Sequence, residues 1–390
     1  MAWQGSKLLL MGSADAIPAA PAQAVVFVED LPPAAQAAAA AKNWAPGLEN
    51  LGNTCYMNAC LQCLHAVPEL RLALAAYSGP AAGPADGAHA LTAALRDLFA
   101  ELRAAGDAVT PARFLGALRA LLPTFGATGR DGVPMQQDAE ECWTGVLEAL
   151  RQRLPAAPGQ GPLVKQLFGI PQAAVLTAGE TGESVAEAGT VFTLKCNITS
   201  AVNHVTDGFR LALDASREAR SAAAGRDVVF SGTTRLVGLP AVLTVQLMRF
   251  DYKSATQAKC KILRAVAFPL LLDVYEFAAP ELQAALDPPR ARRKAAEDAA
   301  VAAKLAGGEA PPAAGGGEHT GLYTLVALLT HKGRYADGGH YVSYVKQADG
   351  SWLEFDDERT LPRSEAEILA LKGGGDHHMA YLCLYRSELA

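Results

Sequence analysis

The hydrophobic period of this chain changes part-way along it, which confines it to folds that join a helical layer to a mostly antiparallel sheet. From Pro46 to about Leu154 the apolar residues recur at helical spacing. LTAALRDLFAELRAA puts Leu91, Leu95, Leu98 and Leu102 on one stripe, and PARFLGALRALLP is a second amphipathic segment with Pro111 at its start. From about Val191 onward, strand-like runs take over: TVFTLKCNIT, PAVLTVQLMRFDY, GLYTLVALLTHKG, HYVSYVK, SWLEFDD and AYLCLYR. The expected class is α+β.

Two stretches break the pattern. Residues 18–44 are rich in Ala and Pro and read as a linker after a short segment, 1–17. Residues 282–320, with RARRKAAEDAAVAAKLAGGEAPPAAGGGE, read as a disordered insertion between strands, because so few apolar groups cannot offset the entropy of ordering.

Composition narrows the function. The net charge of −6 argues against a general nucleic-acid binder, which shows a basic face. No stretch has the apolar length of a membrane span, and the first residues lack an A-x-A-like cleavage site. Seven cysteines in a long chain do not suggest a disulfide framework, so reduced thiols and a cytoplasmic or nuclear setting are expected.

The first chemical signal is GLENLGNTCYMNACLQCL. A Gly- and Asn-rich loop leads into a helix whose start carries Cys55, with Asn53 or Thr54 as its cap. Exposed N–H groups and the helix dipole favour a thiolate there. The side-chain amide of Asn50, together with the Cys55 N–H, is placed to stabilise an oxyanion. Cys60 and Cys63 form a lone C-x-x-C with no second pair for zinc.

The second signal is a hairpin. HYVSYVK and SWLEFDD are joined through Ala348-Asp349-Gly350, which sets Gln347 opposite Ser351 and Val342 opposite Asp356. His340 then shares a face with Asp356, and a carboxylate there fixes the imidazole tautomer that serves a thiol. A slip of one residue would substitute Asp357. A third segment, VPMQQDAEECWTGVLEAL, opens a helix at Asp138 with Glu141 three residues on; Gln136, Gln137 and Asp138 are candidates to hold a basic extended peptide. His331 ends the preceding strand and could line the same groove.

Together these segments resemble the boxes of the ubiquitin-specific proteases: GLENLGNTCYMNACLQCL its Cys box, MQQDAEECW its second motif, and GGHYVSYVKQADGSWLEFDDERT its His box. LFGI (Leu167–Ile170), LPAVLTVQLMRFDYK, FPLLLDVYEFAAPELQ and LKGGGDHHMAYLCLY are similar to the proteasome-associated branch. The resemblance implies a papain-like hand over residues 45–390: helical thumb, β palm, and β fingers around residues 185–260. It implies a deubiquitinase trimming ubiquitin from substrates at the proteasome, with Cys55 as nucleophile, His340 as general base, Asp356 orienting it and Asn50 at the oxyanion. Gln136, Gln137, Asp138, His331, Gly339 and Tyr341 would line the channel for ubiquitin's C-terminal tail, whose Gly-Gly end suits a narrow gap. The loop Gly333–Gly339 would shift on binding. No cofactor is implied, and with only Cys196 and Cys260 near the fingers no zinc is expected. Ubiquitin and ubiquitinated proteins are the implied partners. So is the proteasome regulatory particle, docked through a ubiquitin-like domain of which residues 1–17 keep only the tail, LLLMGSADAIPAAP being similar to that tail plus the linker.

Overall fold

A computed structural model describes residues 45–390 except 80–82, 84–85, 130, 156–160, 254–257, 306–316 and 334–337. The remnant 1–17 and the linker 18–44 therefore lie outside the described residues.

The helical period produces six helices among the described residues of the first half. They are α1 (Cys55–His65), α2 (Pro68–Ala75), α3 (Gly87–Ala104), α4 (Ala112–Leu121), α5 (Ala139–Arg153) and α6 (Leu163–Phe168). The expected stripe is the buried one: Leu91, Leu95, Leu98 and Leu102 all face the core. Two helices start on aspartates. Asp86 accepts the His89 N–H on α3, and Asp138 accepts those of Glu140 (2.8 Å) and Glu141 (3.2 Å) on α5.

A separate sheet follows, from β1 (Ile170–Ala178), β2 (Ser184–Val191), β4 (Asp214–Arg220), β5 (Asp227–Thr233) and β6 (Arg235–Leu236), in the order β2-β1-β5-β4 with β6 also on β1. These fingers begin at Ile170, earlier than the expected residue 185, because β1 pairs along the whole of β2, from Ile170↔Val191 to Thr177↔Ser184. Their core is small: Ala174, Leu176, Ala178, Val228 and Phe230.

The palm is one eight-stranded sheet. It comprises β3 (Leu194–Cys196), β7 (Val242–Leu247), β10 (Leu271–Asp273), β11 (His319–Lys332), β12 (His340–Lys346), β13 (Trp352–Asp356), β14 (Arg359–Arg363) and β15 (Met379–Leu389). The order is β14-β13-β12-β11-β15-β7-β3, antiparallel except for β3 with β7, and β10 flanks β11. Every residue of β7 is buried. Val242 meets the thumb core while Leu243, Val245 and Leu247 meet a second core that includes α7 (Val205–Leu213), and the polar residues that alternate with them, Thr244 and Gln246, are buried as well. A small hairpin, β8 (Phe250–Lys253) and β9 (Ala258–Lys261), leaves the palm beside the cleft. Helix α9 (Glu365–Ala370) starts on a Ser364–Glu367 capping box.

One expectation is overturned. Residues 282–305, read as part of a disordered insertion, belong to helix α8 (Pro280–Leu305), which runs through Pro288 and Pro289. The reading undervalued a run of strong helix formers and could not see the anchors. Leu286 and Pro289 are buried. Arg290 holds Asp273 at 2.7 Å, and Arg293 holds Glu388 at 3.0 Å. Residues 306–316 of that stretch lie outside the described residues.

Candidate active site

Three loop segments meet where α1 begins. Gly47 lies so close to the Asp357–Glu358 backbone that a Cβ would fall 2.4 Å from the Asp357 carbonyl oxygen. The Leu48 N–H donates to that same oxygen at 2.9 Å. The chain then turns through left-handed Gly52 (φ +95°) and Asn53 (φ +52°). Thr54 occupies the N-cap position, but its hydroxyl accepts from the Leu51 N–H at 2.9 Å, and the Asn53 amide donates to the Pro134 carbonyl. Neither side chain caps α1, contrary to expectation. The first-turn N–H groups stay directed at whatever anion forms at Cys55.

His340 opens β12. The β12–β13 ladder runs from Lys346↔Trp352 to Ser343↔Phe355, and the Gln347 N–H donates to the Ser351 carbonyl, the register the sequence implied. Gly350 is left-handed (φ +86°). His340 Nε2 lies 2.5 Å from Asp356 Oδ1, and Cys55 sits close enough to the same imidazole to raise its proton affinity. Asp356 first, then Cys55, pushes His340 up to about 10, and the His340 contact holds Asp356 below the usual carboxylate range. Because Asp356 engages Nε2, Nδ1 is the nitrogen left for sulfur.

Asp357 takes a different part. Its φ of +52° swings its carboxylate to the other side of the turn, where it accepts from Asn50 Nδ2 and Asn58 Nδ2, both at 2.8 Å. Burial raises its pKa against those two hydrogen bonds. Asn50 is thus tethered rather than free. Its Oδ1 accepts the Gly52 and Thr54 N–H groups, and one amide hydrogen is committed to Asp357. Sequence reasoning missed Asn58. The available signal was an amide one turn past Cys55 in a helix otherwise apolar enough to be buried. His340, Asp356 and Asp357 form the one described His/Cys/Asp/Glu trio whose donor atoms lie within 4.8 Å of each other. Those atoms already serve each other and the two asparagines.

The tail residues divide. Gln136, Gln137 and Asp138 line a groove with Glu140, Glu141 and Phe250. Tyr381 donates to Asp138 at 2.9 Å, and the Gln136 amide nitrogen is buried without a partner. His331 and Tyr341, expected to line the channel, instead lie beneath it, 0% and 1% exposed, as a cross-strand pair with rings 4.6 Å apart. Burial and Lys261 drive His331 down to about 3. Lys261 Nζ, unnoticed in the sequence, reaches His331 Nδ1 (2.7 Å) and the carbonyls of His331 (2.8 Å) and Gly333 (3.0 Å). Gly339 roofs this pair: a Cβ there would stand 2.1 Å from the Lys332 carbonyl oxygen and 2.5 Å from His331 Nε2. Of the loop Gly333–Gly339, residues 334–337 lie outside the described residues.

Comparison with known families decides what this arrangement belongs to. Residues 46–385 match the model of the ubiquitin carboxyl-terminal hydrolases. The chain belongs to that family. It is 40% identical to ubiquitin carboxyl-terminal hydrolase 6 of Arabidopsis thaliana, over 98% of this chain and 86% of that protein. It is 32% identical to ubiquitin carboxyl-terminal hydrolase 6 of Schizosaccharomyces pombe (98% and 85%) and 31% identical to ubiquitin carboxyl-terminal hydrolase 14 of Caenorhabditis elegans (98% and 81%). This ubiquitin carboxyl-terminal hydrolase is accordingly a cysteine-type deubiquitinase, cleaving the bond after ubiquitin's C-terminal glycine. Among the described residues no helix is long and apolar enough to cross a membrane.

Proposed function

We propose that Cys55, His340 and Asp356 are the catalytic triad of this deubiquitinase. The observation that carries the proposal is the His340 imidazole held by Asp356 at 2.5 Å, with Cys55 near enough to raise its proton affinity as well. Cys55 passes its proton to His340, and the thiolate attacks the carbonyl of ubiquitin's terminal glycine, forming the S–C bond. The oxyanion is met by N–H groups at the start of α1 and by the remaining amide hydrogen of Asn50, held in place by Asp357. His340 gives its proton to the departing lysine amine as the C–N bond breaks. Water, deprotonated by His340, then breaks the S–C bond and frees ubiquitin.

Gln136, Gln137 and Asp138 form the channel wall, whose acidic character, extended by Glu140 and Glu141, suits the two arginines of ubiquitin's tail. His331, Tyr341 and Gly339 act from below, keeping the channel floor flat. The likeness to the proteasome-associated branch supports work at the proteasome, in the cytoplasm or nucleus. A ubiquitin-derived electrophile should label Cys55, and Cys55→Ala should abolish both labelling and turnover of a ubiquitin–fluorophore amide. Full turnover by Cys55→Ala would sink the mechanism. Added proteasomes should raise turnover by the unmodified chain; no change would remove the proteasome from the proposal.

A further inference from the structure

At the opposite end of α1 from Cys55 is a second polar hollow that the chemistry above does not use. Its wall is His65, the last residue of α1, with Arg71 from α2 and Arg96, Asp97, Phe99 and Arg103 from α3. Eleven helical residues at ~1.5 Å each separate the two ends by roughly 15 Å, so a ligand here would not enter the cleft. Arg96 and Arg103 are seven residues apart, two turns on one face of α3. The His65 ring stands edge-on to Phe99, with centroids 4.9 Å apart.

Three guanidiniums face a single carboxylate. Asp97 is fully engaged, holding Arg96 at 2.7 Å and Arg113 from α4. Arg96 also donates to the Tyr77 carbonyl at 2.9 Å. Among the described residues neither Arg71 nor Arg103 has a carboxylate in ion-pair range, in a protein whose net charge is −6. A protein of acidic balance has acids to spare for neutralising surface arginines. Two left facing a half-buried imidazole leave a local positive potential that favours binding of an anion from outside. A neighbouring hollow shares His65 and Arg71 and adds Lys346, itself paired with Glu365 at 3.3 Å.

We propose that this hollow binds a phosphate monoester, gripped by the forks of Arg71 and Arg103 with His65 as a third donor. A phosphate carries about −1.5 to −2 at neutral pH and three acceptor oxygens, which matches two unneutralised guanidiniums and one imidazole better than a lone carboxylate does. The groups facing His65 are Arg71 from α2, Arg96, Asp97 and Arg103 from α3, and Lys346 from β12. Burial first, then Arg71 and Arg103, pulls His65 down to about 4. An anion between those arginines cancels their repulsion, so its binding draws a proton onto His65.

The test follows the His65 imidazole by NMR in the full chain while inorganic phosphate replaces chloride at constant ionic strength. A saturable shift is expected, with the His65 titration midpoint moving upward. Arg71→Ala/Arg103→Ala should weaken binding by about tenfold or more, the loss expected of charge-assisted hydrogen bonds, while leaving ubiquitin–fluorophore turnover in phosphate-free buffer unchanged. If that pair of changes unfolds the protein, Arg71→Gln alone, at an exposed site, should still weaken binding severalfold. A phosphoserine peptide and an inositol phosphate form two further arms. Tighter binding of either over inorganic phosphate names the natural source and supports the site. A response that never saturates, or one equal in the arginine variants, overturns it.

Discussion

Replacing Asp356 with Ala removes the chief cause of the raised His340 pKa without opening the core. Taken at face value, the rise from 6.5 to about 10 is worth roughly 5 kcal/mol, at ~1.4 kcal/mol per tenfold change in proton affinity. Both side chains are over a third exposed, at 35% and 38%, so solvent screening reduces the expected stability loss to about 1–2 kcal/mol. The pH dependence has a definite sign. A histidine whose folded pKa is raised contributes fully below its unfolded value, and that contribution fades as pH climbs from about 6.5 through about 10. Urea unfolding of both proteins at pH 6, 8 and 10 should therefore show a deficit that shrinks towards pH 10. Turnover at neutral pH should fall by on the order of 10²–10⁴, since the imidazole loses its orienting partner. Asp357 cannot stand in, because its oxygens are held by Asn50 and Asn58. A deficit unchanged at pH 10, or turnover within about threefold of the parent, would refute the reasoning.

Further outcomes follow from the same geometry. Asp357→Ala strands two amide donors and should cost about 2–4 kcal/mol by urea unfolding, with a loss of kcat as Asn50 drifts. Gly339→Ala forces a Cβ against the Lys332 carbonyl and the His331 ring, so kcat should drop at least about tenfold with only a modest change in melting temperature; unchanged kcat would dissociate that loop from His340. Lys261→Met leaves the His331 and Gly333 carbonyls unsatisfied and should lower stability by about 2–3 kcal/mol. Lys261 is held down to about 7 by burial and Arg249, so the parent should gain stability as pH rises from about 7 to 10.5, a slope the variant lacks.

Much of the site was determined locally and so could be read from sequence alone. The Gly350 turn pins the register of a two-stranded hairpin, and period-two geometry then brings His340 and Asp356 to one side. The Leu91–Leu102 stripe fixes the buried face of α3 by the same kind of short-range rule. What the tertiary structure decided depends on contacts between residues hundreds of positions apart. Cys55 meets His340 only because α1 packs against the palm. Asp356 and Asp357 take different parts because Asp357 is itself left-handed, and the Asn50 and Asn58 amides hold its carboxylate in place. His331 looked like a groove residue and is buried instead, where Lys261, arriving from another hairpin, meets its Nδ1. Helix α8 looked too polar to order and is pinned by Asp273 and Glu388, on strands that its own sequence does not contain. Periodicity and turn chemistry act over a few residues and are written in the chain; burial of a polar group depends on the partner that comes to meet it, which only folding supplies.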